Sequence, residues 1–384
     1  MYRRAMSYGC FCFALLILFV HNASLISSAH SLTAVAPFPA VSAQSAILIE
    51  PVSGAVTYEK NAHTRLPMAS TTKIMTAIVA IELGDPAMMV DISREAVGVE
   101  GSSIYLYEGE RLSLEHLLYA LLLESANDAA VAIAVALSGT VDAFVEQMNQ
   151  KAMALGLSDT HFSNPHGLDH EDHYTTASDL ARLAAYCMRN EMFRTIVSTR
   201  RMTIPLNDQE GVRLLLNHNR LLRSYDGAIG LKTGFTKRSG RCLVSAAERD
   251  GVTMIAVTLN APDDWDDHRN MLDYGFSRYT SLLLQAAGSY TRSIPLIGMR
   301  QTEIAICNTN DVRVILPSDH GQIQMYCEAP RWLSGPITEG QKIGQLVWKC
   351  NGETIATESL IAQSSIDFSP KKPSLWERFL KLFT

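Results

Sequence analysis

Two groups of strand-like segments enclose a long helical stretch, and this order limits how the 384-residue chain can fold. Residues 43–62 indicate two strands joined at the Gly54 turn, with Ile47, Ile49, Val56 and Tyr58 at alternating positions. Residues 227–260 again have a strand-like pattern, with Asp250-Gly251 as a two-residue hairpin turn. The sequence between them is helical in pattern, beginning with a helix predicted over about 70–83. This order predicts an α/β (α+β) domain in which an antiparallel sheet, assembled from both ends, is flanked by helices.

The pattern changes from about Ser289, after a last helix predicted over about 268–279. Short strand-like segments with turns follow, and Asn351-Gly352 is a strong hairpin signal among them. They predict a small, separate all-β domain that shows no motif carrying chemistry. The predicted organisation is a signal peptide at 1–29, a linker at 30–44, the α/β domain at 45–285, the β domain at 286–368, and a linker with an amphipathic helix at 369–384.

The first residues have the layout of a secretory signal peptide. Arg3 and Arg4 precede an apolar stretch, Cys10–Val20, that is too short to span a bilayer comfortably, and small residues follow as far as Ala29. We expect cleavage after Ala29 rather than Ala43, since the later site would leave almost nothing before the first strand. The alternative is an uncleaved anchor. The protein is therefore expected to be exported and to remain extracytoplasmic in the cell envelope.

The last residues have an amphipathic pattern. In the segment 374–384, apolar and aromatic side chains fall on one side of a helix, and Glu377, Arg378 and Lys381 fall on the other. A short helix with an aromatic-rich face and basic neighbours can lie in the membrane interface. Because the polar sequence SPKKP separates it from the β domain, we expect it to bind the outer face of the cytoplasmic membrane. Docking on the β domain is the alternative.

Charge and cysteine content exclude some classes of function. The net charge of −6 gives no electrostatic footprint for nucleic acid, so no nucleic-acid partner is expected. An odd number of cysteines without tight spacing does not describe a disulfide framework, although one bridge among the last three is possible. No cysteine has a C-x-x-C partner, which argues against zinc held by thiolates. The cysteines after the signal peptide are Cys187, Cys242, Cys307, Cys327 and Cys350.

Three short motifs follow one another in the α/β region. They are S-x-x-K at Ser70–Lys73, S-x-N at Ser125–Asn127 and K-T-G at Lys232–Gly234. A serine nucleophile with a lysine base needs a second hydroxyl to relay protons, a cation for an anionic substrate end, and backbone donors for the oxyanion. S-x-x-K alone is weak, since it recurs at Ser369–Lys372, but the three motifs in this order favour acyl transfer.

In these motifs the chain resembles the low-molecular-mass penicillin-binding proteins, the serine-type D-alanyl-D-alanine carboxypeptidases. The likeness is dense over about 43–279, including PMASTTKIMTA, NPHGLD and GLKTGFTKRSGRCLVSAAERDG, and extends less specifically to the β domain and the tail. It implies a transpeptidase-like domain that removes the terminal D-alanine from peptidoglycan stem pentapeptides through an acyl-enzyme. It also implies covalent inhibition by β-lactam antibiotics. We expect no cofactor and no metal.

The resemblance implies three catalytic roles. Ser70 would attack the carbonyl between the two terminal D-alanines, and Lys73 would take its proton. Ser125 would relay a proton to the leaving D-alanine. A lysine is ordinarily charged at neutral pH, so the site must lower the pKa of Lys73. Burial beside a second cation, Lys232, acts in that direction.

Recognition of the substrate's terminal carboxylate is the next implied role. Lys232 and Thr233 would bind this group. Some family members have histidine directly after K-T-G, where this chain has Phe235. The side chain of Phe235 cannot contribute a charge there, and Arg241 is the candidate to supply it.

The remaining implied roles concern backbone groups and one amide. Asn127 would hold either Lys73 or a substrate amide. Gly234 lacks a side chain, which would let an extended substrate approach the strand edge closely. The oxyanion hole would use the backbone N–H groups of Ser70 and Phe235.

The histidine-rich segment HFSNPHGLDHEDHY, residues 161–174, is a weaker candidate for chemistry. Imidazole and carboxylate are good metal ligands, so a metal site is conceivable. No i, i+4 histidine pair falls on a clear helix, and Asn164-Pro165 and Gly167 are loop signals. We therefore expect a loop that borders the substrate cleft.

Two other functions remain as alternatives. A serine β-lactamase of the related type commonly carries a deacylating glutamate followed four residues later by asparagine. None of the four glutamates between Asn127 and Lys232 has asparagine at that position. A catalytically silent β-lactam sensor or wall-binding module could have lost Ser125 or Lys232, but both are present. Both observations favour the carboxypeptidase.

Overall fold

The structure, a computed structural model, describes residues 38, 40–206 and 211–367. They divide into two compact units, a larger one within residues 38–282 with 315–319 and a smaller one within residues 283–314 with 320–367. The predicted signal peptide 1–29 and the C-terminal segment 369–384 lie outside the described residues, as does most of the predicted linker 30–44. Of that linker, Ser42 and Ala43 donate backbone hydrogen bonds to Asp267.

The larger unit contains most of the helices and strands. Its strands are β1 (Ser45–Glu50), β2 (Ala55–Lys60), β3 (Met89–Asp91), β4 (Arg111–Ser113), β5 (Arg201–Pro205), β6 (Val212–Leu216), β7 (Ala228–Thr236), β8 (Gly240–Arg249) and β9 (Val252–Leu259). Its helices are α1 (Lys73–Leu83), α2 (Leu114–Tyr119), α3 (Asn127–Ser138), α4 (Val141–Ala154), α5 (Ala177–Cys187), α6 (Glu191–Ser198), α7 (Leu221–Ser224) and α8 (Asp264–Arg278).

The central sheet is antiparallel, with the strand order β2-β1-β9-β8-β7. The strand β1 pairs with β9, so that Leu48 lies opposite Ala256. The predicted sheet, built from the two ends of the region, is confirmed. This arrangement places β7, which carries K-T-G, at one edge of the sheet.

Side chains pack on both faces of the sheet. Along β1, Ile47 and Ile49 contribute to the core that includes α1, α3 and α5, whereas Ala46 and Leu48 contribute to the core that includes α8. Every residue of β1 is buried, because helices cover both sides of the strand. Such double burial explains why the four central residues of the strand, Ala46–Ile49, are all apolar.

The segment predicted as one helix over 70–83 has two parts. Residues Ala69–Thr72 form a 3₁₀ helix, and α1 begins only at Lys73. The hydroxyl groups of Thr71 and Thr72 donate to the carbonyl oxygens of Met68 and Ala69 at 2.6 and 2.8 Å. These side-chain bonds compete with the regular helical pattern and tighten the turn.

The structure departs from the sequence prediction at two further elements. The last helix of the larger unit begins at Asp264, four residues before the predicted start near residue 268, with acidic residues in its first turn that favour a helix N-terminus. The β5–β6 hairpin is not predicted from the sequence. In β6 the outward-facing residues Val212, Leu214 and Leu216 are exposed although apolar, so this strand lacks the usual alternation of apolar and polar side chains.

The smaller unit is built of strands, which confirms the all-β prediction. Five strands form one sheet with the order β11-β12-β16-β15-β14, and Trp348 is buried in its core. These strands are β11 (Thr291–Pro295), β12 (Glu303–Asn308), β14 (Ile323–Glu328), β15 (Lys342–Cys350) and β16 (Glu353–Ala362). Two further strands, β10 (Tyr279–Gln285) and β13 (Val312–Pro317), have residues in both units.

The five cysteines of the described chain are all unpaired. Within the described residues no single helix is long and apolar enough to cross a membrane, and only α3 with α4, bent by 87°, passes that test as a pair.

Candidate active site

The S-x-x-K motif lies on the turn that leads into α1. Ser70 is half-buried in the 3₁₀ helix, and Lys73, the first residue of α1, is completely buried. The Nζ atom of Lys73 is 3.0 Å from the Oγ atom of Ser70. The spacing of three therefore brings the hydroxyl and the amine into direct contact.

The surroundings of Lys73 suit an uncharged amine. Its Nζ donates to Asn127 Oδ1 at 2.7 Å and to the backbone oxygen of His166 at 2.5 Å. Burial holds the pKa of Lys73 well below its usual value, the charge of Lys232 lowers it further, and Asp128 opposes these effects. A neutral amine has two hydrogens for these two acceptors and one lone pair left for the hydroxyl of Ser70.

The S-x-N motif lies at the predicted break between two helices. A π-helical turn, Ala120–Glu124, ends at Ser125, which adopts a left-handed conformation with φ of 61°. The helix α3 then begins at Asn127, whose backbone N–H and side-chain Nδ2 donate to the carbonyl oxygens of Ser102 and Glu100 at 2.7 and 2.5 Å. Because its Nδ2 is used in this way, the Oδ1 atom of Asn127 is fixed towards Lys73.

The K-T-G motif lies on the edge strand β7. Lys232 is buried, and its Nζ donates to the backbone oxygen of Thr233 at 2.9 Å. Burial lowers the pKa of Lys232 to about 7, and the nearby carboxylate of Glu124 opposes this shift. Lys232 is therefore a second buried amine whose charge is sensitive to pH near neutrality.

Gly234 packs closely against the turn that carries Ser70. A Cβ atom at this position would lie 3.0 Å from the backbone nitrogen of Ser70 and 3.2 Å from the backbone oxygen of Met68. A side chain at residue 234 would therefore press on the turn that carries Ser70, and β7 or that turn would have to move by a few tenths of an ångström. This close approach of β7 to the Ser70 turn is an additional reason for glycine, beside the close approach of substrate expected from the sequence.

A cavity of about 340 Å³ opens beside these groups. Of the residues predicted from sequence, Ser70, Ser125, Thr233, Gly234, Phe235 and Arg241 line it. The side chain of Phe235 lies directly across the β7–β8 pair from Arg241, and the residue is 65% exposed. The cavity therefore joins all three motifs at one site.

The carboxylate of Asp264 modifies the role expected for Arg241. The Nη1 atom of Arg241 lies 3.6 Å from Asp264 Oδ2, and the side chain of Asp264 is almost fully buried. Burial raises the pKa of Asp264, and Arg241 opposes that shift. Part of the positive charge of Arg241 is thus already compensated within the protein.

Five lining residues received no role from the sequence. They are Ser102, His218, Arg220, Asp264 and Trp265. The guanidinium of Arg220 lies 5.9 Å from the ring centroid of Trp265, and His218 contacts Glu124 at 3.1 Å. The strings NHNRLL and DDWDD contain four of the five residues, but neither has a spacing that indicates a chemical role.

The histidine-rich segment packs beneath the S-x-x-K turn. The Oγ1 of Thr76 donates to the backbone oxygen of Pro165 at 2.6 Å, and Thr236 on β7 donates to Asp169 at 2.9 Å. Gly167 has a φ of +92° and packs against the carbonyl of Ala69. Among the described residues no group of three histidine, cysteine or acidic side chains could hold a metal ion.

Comparison with known proteins identifies the family. Residues 31–263 match the family described as D-alanyl-D-alanine carboxypeptidase, and residues 279–367 match the C-terminal domain of penicillin-binding protein 5. The chain belongs to the D-alanyl-D-alanine carboxypeptidase family. The resemblance found in the sequence motifs is thereby confirmed.

Individual relatives extend over most of the chain. The carboxypeptidase DacF of Bacillus subtilis is 32% identical, covering 88% of this chain and 90% of its own length. DacA of Escherichia coli is 29% identical over 89% of each. Among solved structures, penicillin-binding protein 5 of Haemophilus influenzae has a TM-score of 0.63 at 28% identity, covering 87% of this chain and 99% of its own. Both the α/β domain and the β domain of the carboxypeptidase family are therefore present.

Proposed function

We propose that this protein is a serine-type D-alanyl-D-alanine carboxypeptidase that shortens peptidoglycan stem pentapeptides by their terminal D-alanine. The observation that carries the proposal is the contact between Ser70 Oγ and a buried amine, Lys73 Nζ, at 3.0 Å. Two acceptors already engage that amine, so its remaining lone pair is available to the serine hydroxyl. Family membership supplies the substrate class.

The reaction has two acyl-transfer steps. Ser70 Oγ attacks the carbonyl between the two D-alanines while Lys73 Nζ accepts the hydroxyl proton. The C–N bond then breaks, and the leaving nitrogen takes a proton delivered through Ser125, so that free D-alanine departs. In the second step water attacks the ester, its proton passes to Lys73, and the shortened peptide leaves from Ser70. A β-lactam acylates the same oxygen, and its ring-opened adduct hydrolyses slowly.

Other groups of the cavity hold the substrate. The ammonium of Lys232 and the hydroxyl of Thr233 bind the terminal carboxylate, and Arg241 adds positive charge beside it. The backbone N–H groups of Ser70 and Phe235 form the oxyanion hole. Asn127 orients Lys73.

Release of D-alanine tests the proposal directly. The purified protein should release D-alanine from a diacetylated tripeptide that ends in two D-alanines, and should form a long-lived adduct with penicillin. The matched control is the same peptide with a terminal amide, which Lys232 should recognise poorly because the carboxylate is absent. Penicillin labelling without release would instead indicate a silent sensor, and rapid turnover of penicillin would indicate a β-lactamase.

We also propose that the mature protein is extracytoplasmic and is attached to the outer face of the cytoplasmic membrane by residues 374–384. The aromatic face and basic neighbours of that segment support the proposal. Truncation after Ser369 should move the protein from the membrane fraction to the soluble fraction without loss of carboxypeptidase activity. Continued sedimentation with membranes would contradict the role of the tail.

A further inference from the structure

A chain of buried hydrogen bonds ends on the carbonyl group that precedes Ser70. The backbone N–H of Ser163 donates to His173 Nδ1 at 2.9 Å. Because Nδ1 accepts, the neutral ring carries its hydrogen on Nε2, which lies 2.7 Å from Thr72 Oγ1. The hydroxyl of Thr72 in turn donates to the carbonyl oxygen of Ala69 at 2.8 Å. Each donor in this series of hydrogen bonds, from Ser163 through His173 to Thr72, therefore points towards the Ala69 carbonyl.

Burial of His173 and Thr72 keeps the donors and acceptors of these hydrogen bonds in the same order at physiological pH. Thr72 is fully buried, and His173 is only 3% exposed. Burial, with smaller effects from His166, His161, His170 and Lys73, lowers the pKa of His173 to about 3. The ring stays neutral at physiological pH, so its Nε2–H remains available to Thr72.

The Ala69 carbonyl is also fixed by its backbone and by packing. Ala69 has a φ of +47°, which is unusual for a residue with a side chain. On another side of the same carbonyl lies Gly167, where a Cβ atom would be only 2.0 Å from the Ala69 oxygen. Strain at Ala69 thus persists because its surroundings determine the orientation of this peptide group.

This carbonyl belongs to the same peptide unit as the N–H group of Ser70. A peptide unit is planar and trans, so the orientation of the Ala69 C=O determines where the Ser70 N–H points. Hydrogen bonds donated to a carbonyl also polarise the amide and strengthen its N–H as a donor. The chain from His173 through Thr72 can therefore act on the N–H that serves as an oxyanion donor in the proposed mechanism.

We propose that Thr72 and His173 are positioning residues that orient and polarise the oxyanion donor of Ser70. The inference rests on the proposed carboxypeptidase function and adds to it a specific role for two buried polar side chains. An oxyanion develops both when Ser70 is acylated and when the ester is hydrolysed. A role through the Ser70 N–H therefore affects both steps, whereas a role in orienting only the Ser70 hydroxyl affects acylation alone.

The test compares substitutions at two neighbouring threonines. Thr72→Val removes the bond to Ala69, and the matched control Thr71→Val removes an equally buried bond to the Met68 carbonyl, which belongs to a different peptide unit. Thr72→Val should slow both penicillin acylation and hydrolysis of the adduct by about tenfold, less than the roughly 10²–10³-fold cost of losing a donor outright. Thr72→Ser should restore most of both rates, and Thr71→Val should change neither by a comparable factor.

A boronic acid that forms a tetrahedral adduct with Ser70 gives an independent readout. Its affinity should fall with Thr72→Val by about the factor seen in acylation, because both depend on the oxyanion donor. His173→Leu provides a second variant if Thr72→Val does not fold, and it should slow both steps by a smaller factor than Thr72→Val, with His173→Gln closer to the wild type. Unchanged rates in Thr72→Val and His173→Leu, or a loss confined to acylation, would overturn the inference. Failure of the proposed function would show differently, as absence of D-alanine release by the unmodified protein.

Discussion

Replacement of Ser70 by alanine is expected to abolish both D-alanine release and the covalent penicillin adduct. The substitution removes the oxygen that forms the ester and that contacts Lys73 Nζ. Loss of the nucleophile in a serine hydrolase costs on the order of 10⁶-fold in kcat. Mass spectrometry of the protein after incubation with penicillin measures the adduct, and an assay of free D-alanine measures the reaction.

The chain contains its own matched control for this experiment. A second S-x-x-K sequence occurs at Ser369–Lys372, outside the described residues. Ser369→Ala should leave both the adduct and the release of D-alanine unchanged. Persistence of the adduct in Ser70→Ala, or its mapping by proteolysis to another residue, would contradict the assignment of Ser70.

Replacement of Lys73 by methionine is expected to have the next largest effect. Methionine retains the length and burial of the side chain but cannot accept the proton of Ser70. A positioned general base typically contributes about 10²–10⁴-fold to the rate. The rate constant of penicillin acylation should fall within that range, while Ser70 remains the residue that is labelled in prolonged incubations.

The pH dependence of kcat/KM checks that Lys73 acts as a base. In the wild type, activity should rise with pH as Lys73 loses its proton, because only the neutral amine can accept one. Activity should fall above about pH 7, where Lys232 loses the charge that binds the carboxylate. In Lys73→Met the rise should disappear while the fall remains. Acylation by Lys73→Met at nearly the wild-type rate, or an unchanged acidic limb, would show that another group is the base.

The order of the elements could be predicted because their sequence patterns are local. Alternating apolar positions within residues 43–62, and strand-like segments about the Asp250-Gly251 turn within residues 227–260, identified the strands, and their separation by helices identified the antiparallel sheet. The β5–β6 hairpin escaped prediction because both faces of β6 carry apolar residues, including the exposed Val212 and Leu214. The division of the predicted 70–83 helix depends on side-chain hydrogen bonds from Thr71 and Thr72, which periodicity does not register.

The sequence also predicted only those residues of the site that belong to recognisable motifs. Motif spacing identified the residues that meet at the cavity, because S-x-x-K is a contact within one helical turn and the other motifs occur in a fixed order. It assigned no role to Asp264 or Arg220, since those residues approach the cavity only through the packing of α8 and the segment that follows β6. The compensation of Arg241 by Asp264 was therefore also absent from the prediction.

The sequence by itself determined which chemical groups are present, their order along the chain and the fold class that brings strands from both ends into one sheet. Only the tertiary structure decided the state of those groups: the lowered pKa values of Lys73 and Lys232, the direction of the Asn127 amide, and the close approach of β7 that leaves little room for a side chain at residue 234. The physical reason is that protonation and close packing depend on burial and on neighbours distant in sequence, whereas local patterns record only the residues within a turn or a strand.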